Sequence, residues 1–199
     1  MNRELLDADH PEIAAVMSNL AFVLYANGAA GEAIEQLRQS LDMRRKVLGP
    51  EHPAVAASAT SLGFWLILEE QYEEAERLLT ESLAVRRRVL GDEHPETAGT
   101  MTVFANLLVS TGRYAEGLEL SREAQRVLTM SLPPSHWRVA AAGNVEGIAL
   151  AGLGRFAEAE PLLLSSLEGL SQAPIPKLAE DGRKRLARFY AAWGKPEEA

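Results

Sequence analysis

Four histidines are the residues of this chain best suited to chemistry, and their spacing argues against a joint site. His10, His52, His94 and His136 stand 42 residues apart. Zinc ligands must each lie about 2 Å from the ion. Histidines delivered one per structural repeat are separated by at least a helix-packing distance, about 8–10 Å. They are therefore expected to be structural loop residues. The run Gly152-Leu153-Gly154-Arg155-Phe156-Ala157 imitates a dinucleotide glycine pattern, but it follows a helical segment and not a strand. Ser40, Ser82 and Ser166 recur at one place, where the third copy has Ala124. That is the mark of a small-residue packing position and not of a nucleophile. Glu32, Glu74, Glu116 and Glu158 recur at helix starts and make no acid/base pair. The sequence thus assigns no catalytic residue, no cofactor-binding residue and no metal ligand, and it calls for no cofactor.

Composition narrows the class. The 199 residues are 47% hydrophobic and 24% charged, ordinary for a globular protein of one or two domains. A formal charge of −8 disfavours nucleic acid and anionic membranes as partners. The chain has no cysteine, which excludes disulfides and thiolate sites and fits a reducing cytoplasm. The opening Met-Asn-Arg-Glu-Leu-Leu-Asp lacks the apolar stretch of a secretory signal, so a cytoplasmic location is expected. The uncharged run from Ile13 to Gly31 is long enough to raise a membrane span. Its Ser18, Asn19, Asn27 and glycines, and its recurrence downstream, favour a repeat helix instead.

What would position any site is a repeat. The 42-residue period carries Ala14, Ala56, Ala98 and Ala140; then Leu24, Leu66, Leu108 and Leu150; then Gly28, Glu70, Gly112 and Gly154. Each unit reads as two helices. Met17, Leu20, Ala21 and Leu24 form one apolar face of a first helix. The glycines end it, tolerating a positive φ. The second helix starts on acid and finishes on base, as in Glu74 to Arg88, which suits the helix dipole. Leu90-Gly91 closes it, and Pro53 or Pro95 opens the next unit.

The second copy resembles the 42-residue tetratricopeptide repeat of kinesin light chains. The residues that carry the likeness are His52-Pro53, Leu62-Gly63, Tyr72-Glu73-Glu74-Ala75-Glu76, Leu83 and Leu90-Gly91. Bacterial multi-domain signalling proteins carry similar arrays. The resemblance covers nearly the whole chain. It implies an all-α, right-handed superhelical solenoid of about nine helices in stacked antiparallel pairs, with first helices lining a concave groove. The units fall at residues 10–51, 52–93, 94–135 and 136–175, with a truncated fifth at 176–199. Residues 1–9, through Arg3-Glu4-Leu5-Leu6, match the tail of a preceding second helix or an N-terminal cap. Because both ends fall mid-unit, a piece of a longer solenoid is one reading, and partial units acting as caps is another.

Function is expected in the groove. The windows 13–26, 55–68 and 97–110 contain no charged residue, and 139–152 contains only Glu146. Uniform spreading would put about thirteen charges there. Candidate lining residues are Ser18, Asn19, Phe22 and Tyr25; Thr60, Ser61, Phe64 and Ile67; Thr102, Val103, Asn106 and Val109; and Asn144 with Ile148. Their amides and hydroxyls suit the main chain of an extended peptide, and their apolar members make pockets. In the resembling family, Asn residues here bind ligand backbone, and Asn19 and Asn144 are matched to them. Arg183, Lys184, Arg185 and Arg188 add a basic cluster on the last first-helix. Arg185 and Arg188 are the candidates there to anchor an acidic residue or C-terminal carboxylate.

The reading is a non-catalytic scaffold that binds a protein or peptide through this groove. The alternative is a self-associating structural or sensory arm of a larger signalling protein, such as a bacterial kinase, and a homodimer belongs to that alternative. Departures from the repeat mark the third-to-fourth junction: Trp137 replaces proline, Gly117, Ser121 and Gln125 weaken a second helix, and Pro161 enters another. Glu146 takes an apolar position and is expected to pair with Arg138 or Arg113.

Overall fold

A computed structural model describes residues 11–198. The expected preceding-helix tail at residues 1–9 and His10 lie outside them. Nine α-helices and one short 3-10 turn make up the described residues, with no strand. The first helices are α1 (Pro11–Ala26), α3 (Pro53–Leu68), α5 (Pro95–Ser110) and α7 (Trp137–Gly152), each 16 residues long and each starting 42 residues after the last. Their second helices are α2 (Ala30–Leu48), α4 (Tyr72–Leu90), α6 (Tyr114–Thr129) and α8 (Phe156–Ser171), and α9 (Pro176–Trp193) follows. None of these helices is long and apolar enough to cross a membrane. The chain divides into two compact units, Met1–Val89 and Leu90–Ala199.

The periodic histidines are explained at the helix starts. His52, His94 and His136 have extended backbones, and each Nδ1 accepts from the backbone N–H two residues on, at 3.1 Å. Each therefore satisfies one of the donors a helix start leaves open. Trp137 stands at the first helical position in place of the proline without disturbing this cap.

The turn between paired helices is also repeated. Gly28, Gly112, Gly154 and Gly194 have φ between 76 and 82°. In each case an N–H beyond the helix reaches back five residues: Ala29 to Leu24, Arg113 to Leu108, Arg155 to Leu150 and Lys195 to Tyr190, at 2.8–2.9 Å. That closure needs a left-handed residue, which glycine supplies without steric cost. Glu70 occupies the same slot with φ 58° and is the one non-glycine with positive φ among the described residues. The matching bond at Lys195 places α9 in the register of a first helix.

Within unit 1, α1 pairs with α2 and α3 with α4. Leu66, Leu78, Leu79, Ala14, Ala21 and Ala75 are all but fully buried between them. Each large aliphatic side chain so removed from water stabilises by about 1.5–3 kcal/mol. A Cβ on Gly63 would stand 2.9 Å from Leu79 Cγ, so any other residue there would force the Leu79 side chain to shift. Within unit 2, Gly147 and Leu163 repeat that contact 84 residues later, at 2.8 Å. Gly117 has the same kind of cause: a Cβ there would meet Val109 Cγ1 at 2.7 Å. The third second-helix, α6, is accordingly continuous despite its weak sequence. So is α8, with Pro161 inside it beyond the first turn.

Glu146 is 9% exposed and accepts from Arg122 Nε at 2.8 Å. The partner is neither residue expected from sequence. Arg138 pairs with Glu96 at 2.6 Å, and Arg113 with Glu116 at 2.7 Å. Arg122 reaches Glu146 because α6 lies directly against that face of α7.

Candidate functional site

The side chains at positions 18, 60, 102 and 144 share one place in the repeat, facing the second helix of their own hairpin. Ser18 and Ser40 hydroxyls stand 3.0 Å apart, those of Thr60 and Ser82 2.7 Å, and Asn144 Nδ2 donates to Ser166 Oγ at 2.9 Å. Ser40 and Ser82 also donate to the backbone oxygens of Ala14 and Ala56. Thr102, opposite Ala124, keeps only the bond to the carbonyl four residues back, Ala98 O at 3.0 Å, which Ser18 and Thr60 also make to Ala14 O and Ala56 O. These hydroxyls are used inside the hairpins. Asn144 is in register with Ser18, and Asn19 with Ser61, so the two asparagines matched together in the sequence occupy neighbouring and not equivalent places.

In unit 1 the other candidates gather on an aromatic cluster. Phe22 and Tyr25 of α1 lie 5.8 and 4.1 Å from the Trp65 ring of α3, and Phe64 lies 5.5 Å from it. Tyr25 Oη donates to Glu69 at 3.3 Å. Trp65 is the buried centre of this face. Sequence reasoning does not single it out, because it stands among the large apolar residues Phe64, Leu66 and Ile67. Asn19 and Ser61 are exposed, and Ser61 donates to Ala57 O. Thr60 faces its hairpin, and Ile67 is buried.

In unit 2 three candidates meet directly. The Arg185 guanidinium of α9 donates from Nη1 to Asn144 Oδ1 of α7 at 3.1 Å, and from Nη2 to Asn106 Oδ1 of α5 at 2.7 Å. Asn106 and Asn144 are buried, at 7% and 2% exposure. Arg185 itself is half-buried. Desolvation holds its pKa below the usual arginine value; Asp181 opposes that shift and Arg188 adds to it. Asp181 is paired with Lys177 at 3.2 Å, and Lys184 is paired with Glu180. Arg188 is exposed, Thr102, Val103 and Ile148 are half-buried, and Val109 is buried.

The donor and acceptor balance of this cluster is one-sided. Arg185 donates to both asparagine oxygens, and the Asn144 amide donates to Ser166. The groups without a partner among the described residues that can donate to a ligand are the Asn106 amide N–H pair, the remaining guanidinium N–H groups and Arg188. All are donors and two are cationic. The chemistry such a set offers is recognition of an anionic acceptor.

Helical hairpins repeated on a 42-residue period, with capping histidines and turn glycines in register, define a repeat scaffold of the tetratricopeptide class. The tetratricopeptide-repeat family model matches residues 12–87 and 56–130, and the chain belongs to that family. Its members are protein–protein interaction scaffolds in general. Among solved structures the chain is similar to a putative kinesin light chain of Podosopora anserina with nearly identical TPR-like repeats. That match has 26% identity and a TM-score of 0.72, covering 95% of this chain and 90% of that one. BtubC (BKLC) from P. vanneervenii, at 16% identity and TM-score 0.68, covers 92% of this chain and 67% of that one. A tpr-like protein from Chlorobium tepidum, at 21% identity and TM-score 0.55, covers 70% and 97%. The last two show likeness of fold alone. No curated protein matches the sequence.

Proposed function

We propose that this protein is a non-catalytic scaffold, cytoplasmic, whose first-helix faces capture a protein or peptide, with neither nucleic acid nor membrane as partner. Unit 2 takes an anionic group of that partner, a carboxylate side chain or a C-terminal carboxylate, at Arg185 and Arg188. The observation that carries the reading is the Arg185 guanidinium held by the oxygens of Asn106 and Asn144. Its ordering cost is met within the fold, so it is pre-organised for a ligand. No carboxylate of the described residues forms an ion pair with it. Unit 1 offers a different surface, the rings of Phe22, Tyr25 and Phe64 around Trp65, with the Asn19 amide and Ser61 hydroxyl exposed nearby.

A displayed random-peptide library selected on the full chain tests the assignment. Ligands enriched in Asp, Glu or a free C-terminus, with about tenfold weaker binding to the Arg188→Ala and Arg185→Gln proteins, are expected from losing one charge-assisted contact. Selected peptides of neutral composition that bind both variants as wild type would discard it.

A further inference from the structure

Unit 1 sets a carboxylate with no cation to answer it beside the aromatic cluster. Glu69 follows α3 as its C-cap residue, is exposed, and accepts from Tyr25 Oη at 3.3 Å. No basic side chain of the described residues pairs with it. Glu51, Glu74 and Glu81 of the same unit are each met by an arginine, respectively Arg88, Arg38 and Arg45. The rings of Phe22 and Tyr25, three residues apart on α1, both pack on the buried Trp65, which fixes them. Phe22 is 39% exposed. That openness belongs to its place in the repeat: Phe64 and Ile148, in register with it, stay only half-buried although α2 and α6 pack against their helices.

We propose that Phe22, Tyr25 and Glu69 form a seat for an arginine side chain of the partner. The face of an aromatic ring attracts a cation through its quadrupole. Donating a hydrogen bond to a carboxylate makes the Tyr25 ring richer in electrons and strengthens that attraction. Tyr25 occupies only one oxygen of Glu69, so the carboxylate retains acceptor capacity for a charged donor. A guanidinium is flat and forked: it lies on a ring and still donates in its own plane to a carboxylate, which an ammonium does not. The formal charge of −8 favours the approach of a basic segment. This seat rests on the reading of unit 1 as a capture face and uses neither Arg185 nor Arg188.

The probe is a peptide of alternating arginine and glycine, acetylated and amidated so that it carries no carboxylate, titrated into the full chain. Its citrulline counterpart is the neutral isostere. The aromatic NMR signals of Phe22 and Tyr25 should shift with the arginine peptide, which should bind at least about tenfold more tightly than the citrulline one. Glu69→Gln should weaken binding about fivefold and Phe22→Ala about threefold. Glu69 is exposed, so its variant reads the seat without disturbing the core. Glu168→Gln removes the same charge from an exposed position of α8 and should bind as wild type. Equal binding by the Glu69→Gln protein, or rings unmoved by the arginine peptide, overturns the proposal. Ring shifts of the same size with both peptides overturn it too, yet leave unit 1 a capture face. The anion seat at Arg185 and Arg188 stands or falls by its own selection, since this probe offers it no carboxylate.

Discussion

Arg185 Nη2 lies 2.7 Å from Asn106 Oδ1, across 79 residues of sequence, and the same guanidinium bonds Asn144 at 3.1 Å. One side chain thus ties α9 to both α5 and α7. Its removal should loosen α9 first. Arg185→Ala leaves two buried amide oxygens without their donor and should cost about 2 kcal/mol in urea denaturation. Faster amide exchange along α9 should accompany it. Arg185→Lys keeps the charge but cannot fork to both oxygens, so it should recover only part of that loss.

Glu70 is a side chain forced into a glycine's conformation, with φ 58° where its repeat mates have 76–82°. Relieving it with Glu70→Gly should stabilise by about 1 kcal/mol, the usual range for a left-handed non-glycine residue. The melting temperature should rise by about 2–4 °C. A fall would mean the side chain contributes more through contacts than the backbone loses through strain.

The histidine caps give a graded prediction. His94→Asn keeps an acceptor at the helix start and should be nearly neutral, whereas His94→Ala should lose about 1 kcal/mol. Calorimetry on the two variants separates capping from bulk.

Much of this fold is legible in the sequence because it rests on residues with one local task. Gly28, Gly112 and Gly154 are needed for their φ, and the alanine and leucine positions for their size. The roles of the histidines are less legible: their period shows in the sequence, but the cap depends on the backbone at His52, His94 and His136. Least legible are contacts set by side-chain reach between helices. Arg122 and not Arg138 meets Glu146, and Arg185 meets Asn106, because neighbouring helices bring them together; no spacing rule within one repeat encodes either. Trp65 shows the same limit. It lies in the uncharged window with its neighbours, and only packing makes it the hub for Phe22, Tyr25 and Phe64.

Glu146 and Arg122 allow a double-mutant cycle. Arg122→Ala leaves a nearly buried carboxylate unpaired and should destabilise by about 1–2 kcal/mol, less than for a fully buried pair because Arg122 is half exposed. Glu146→Leu, restoring the apolar residue of the first two copies, should be neutral or stabilising. In the Glu146→Leu background, Arg122→Ala should then have little effect.

Acid should weaken unit 1 through Glu74. Its hydrogen bond from Arg38, at 2.6 Å, holds the carboxyl below the usual range, against a smaller opposing effect of burial. The folded pKa is depressed, so the contribution is complete above the ordinary carboxylate value of about 4.3 and is lost as pH falls through the lower folded one. Both side chains are about one-third exposed. Screening then keeps the effect under about 1 kcal/mol. Glu74→Gln should flatten the acid limb of a stability-against-pH curve by that amount.

The most direct measurement is an NMR titration of the full chain, observing arginine Nε–H and asparagine side-chain amide signals. The ligands are a short acidic peptide with a free C-terminus and the same peptide with Gln and Asn for its acids and an amidated end. Shifts at Arg185, Arg188 and Asn106 with the acidic peptide, and none with the neutral one, are the expected result. Unmoved signals at all three residues, or equal shifts with both peptides, would contradict an anion-recognising face on unit 2.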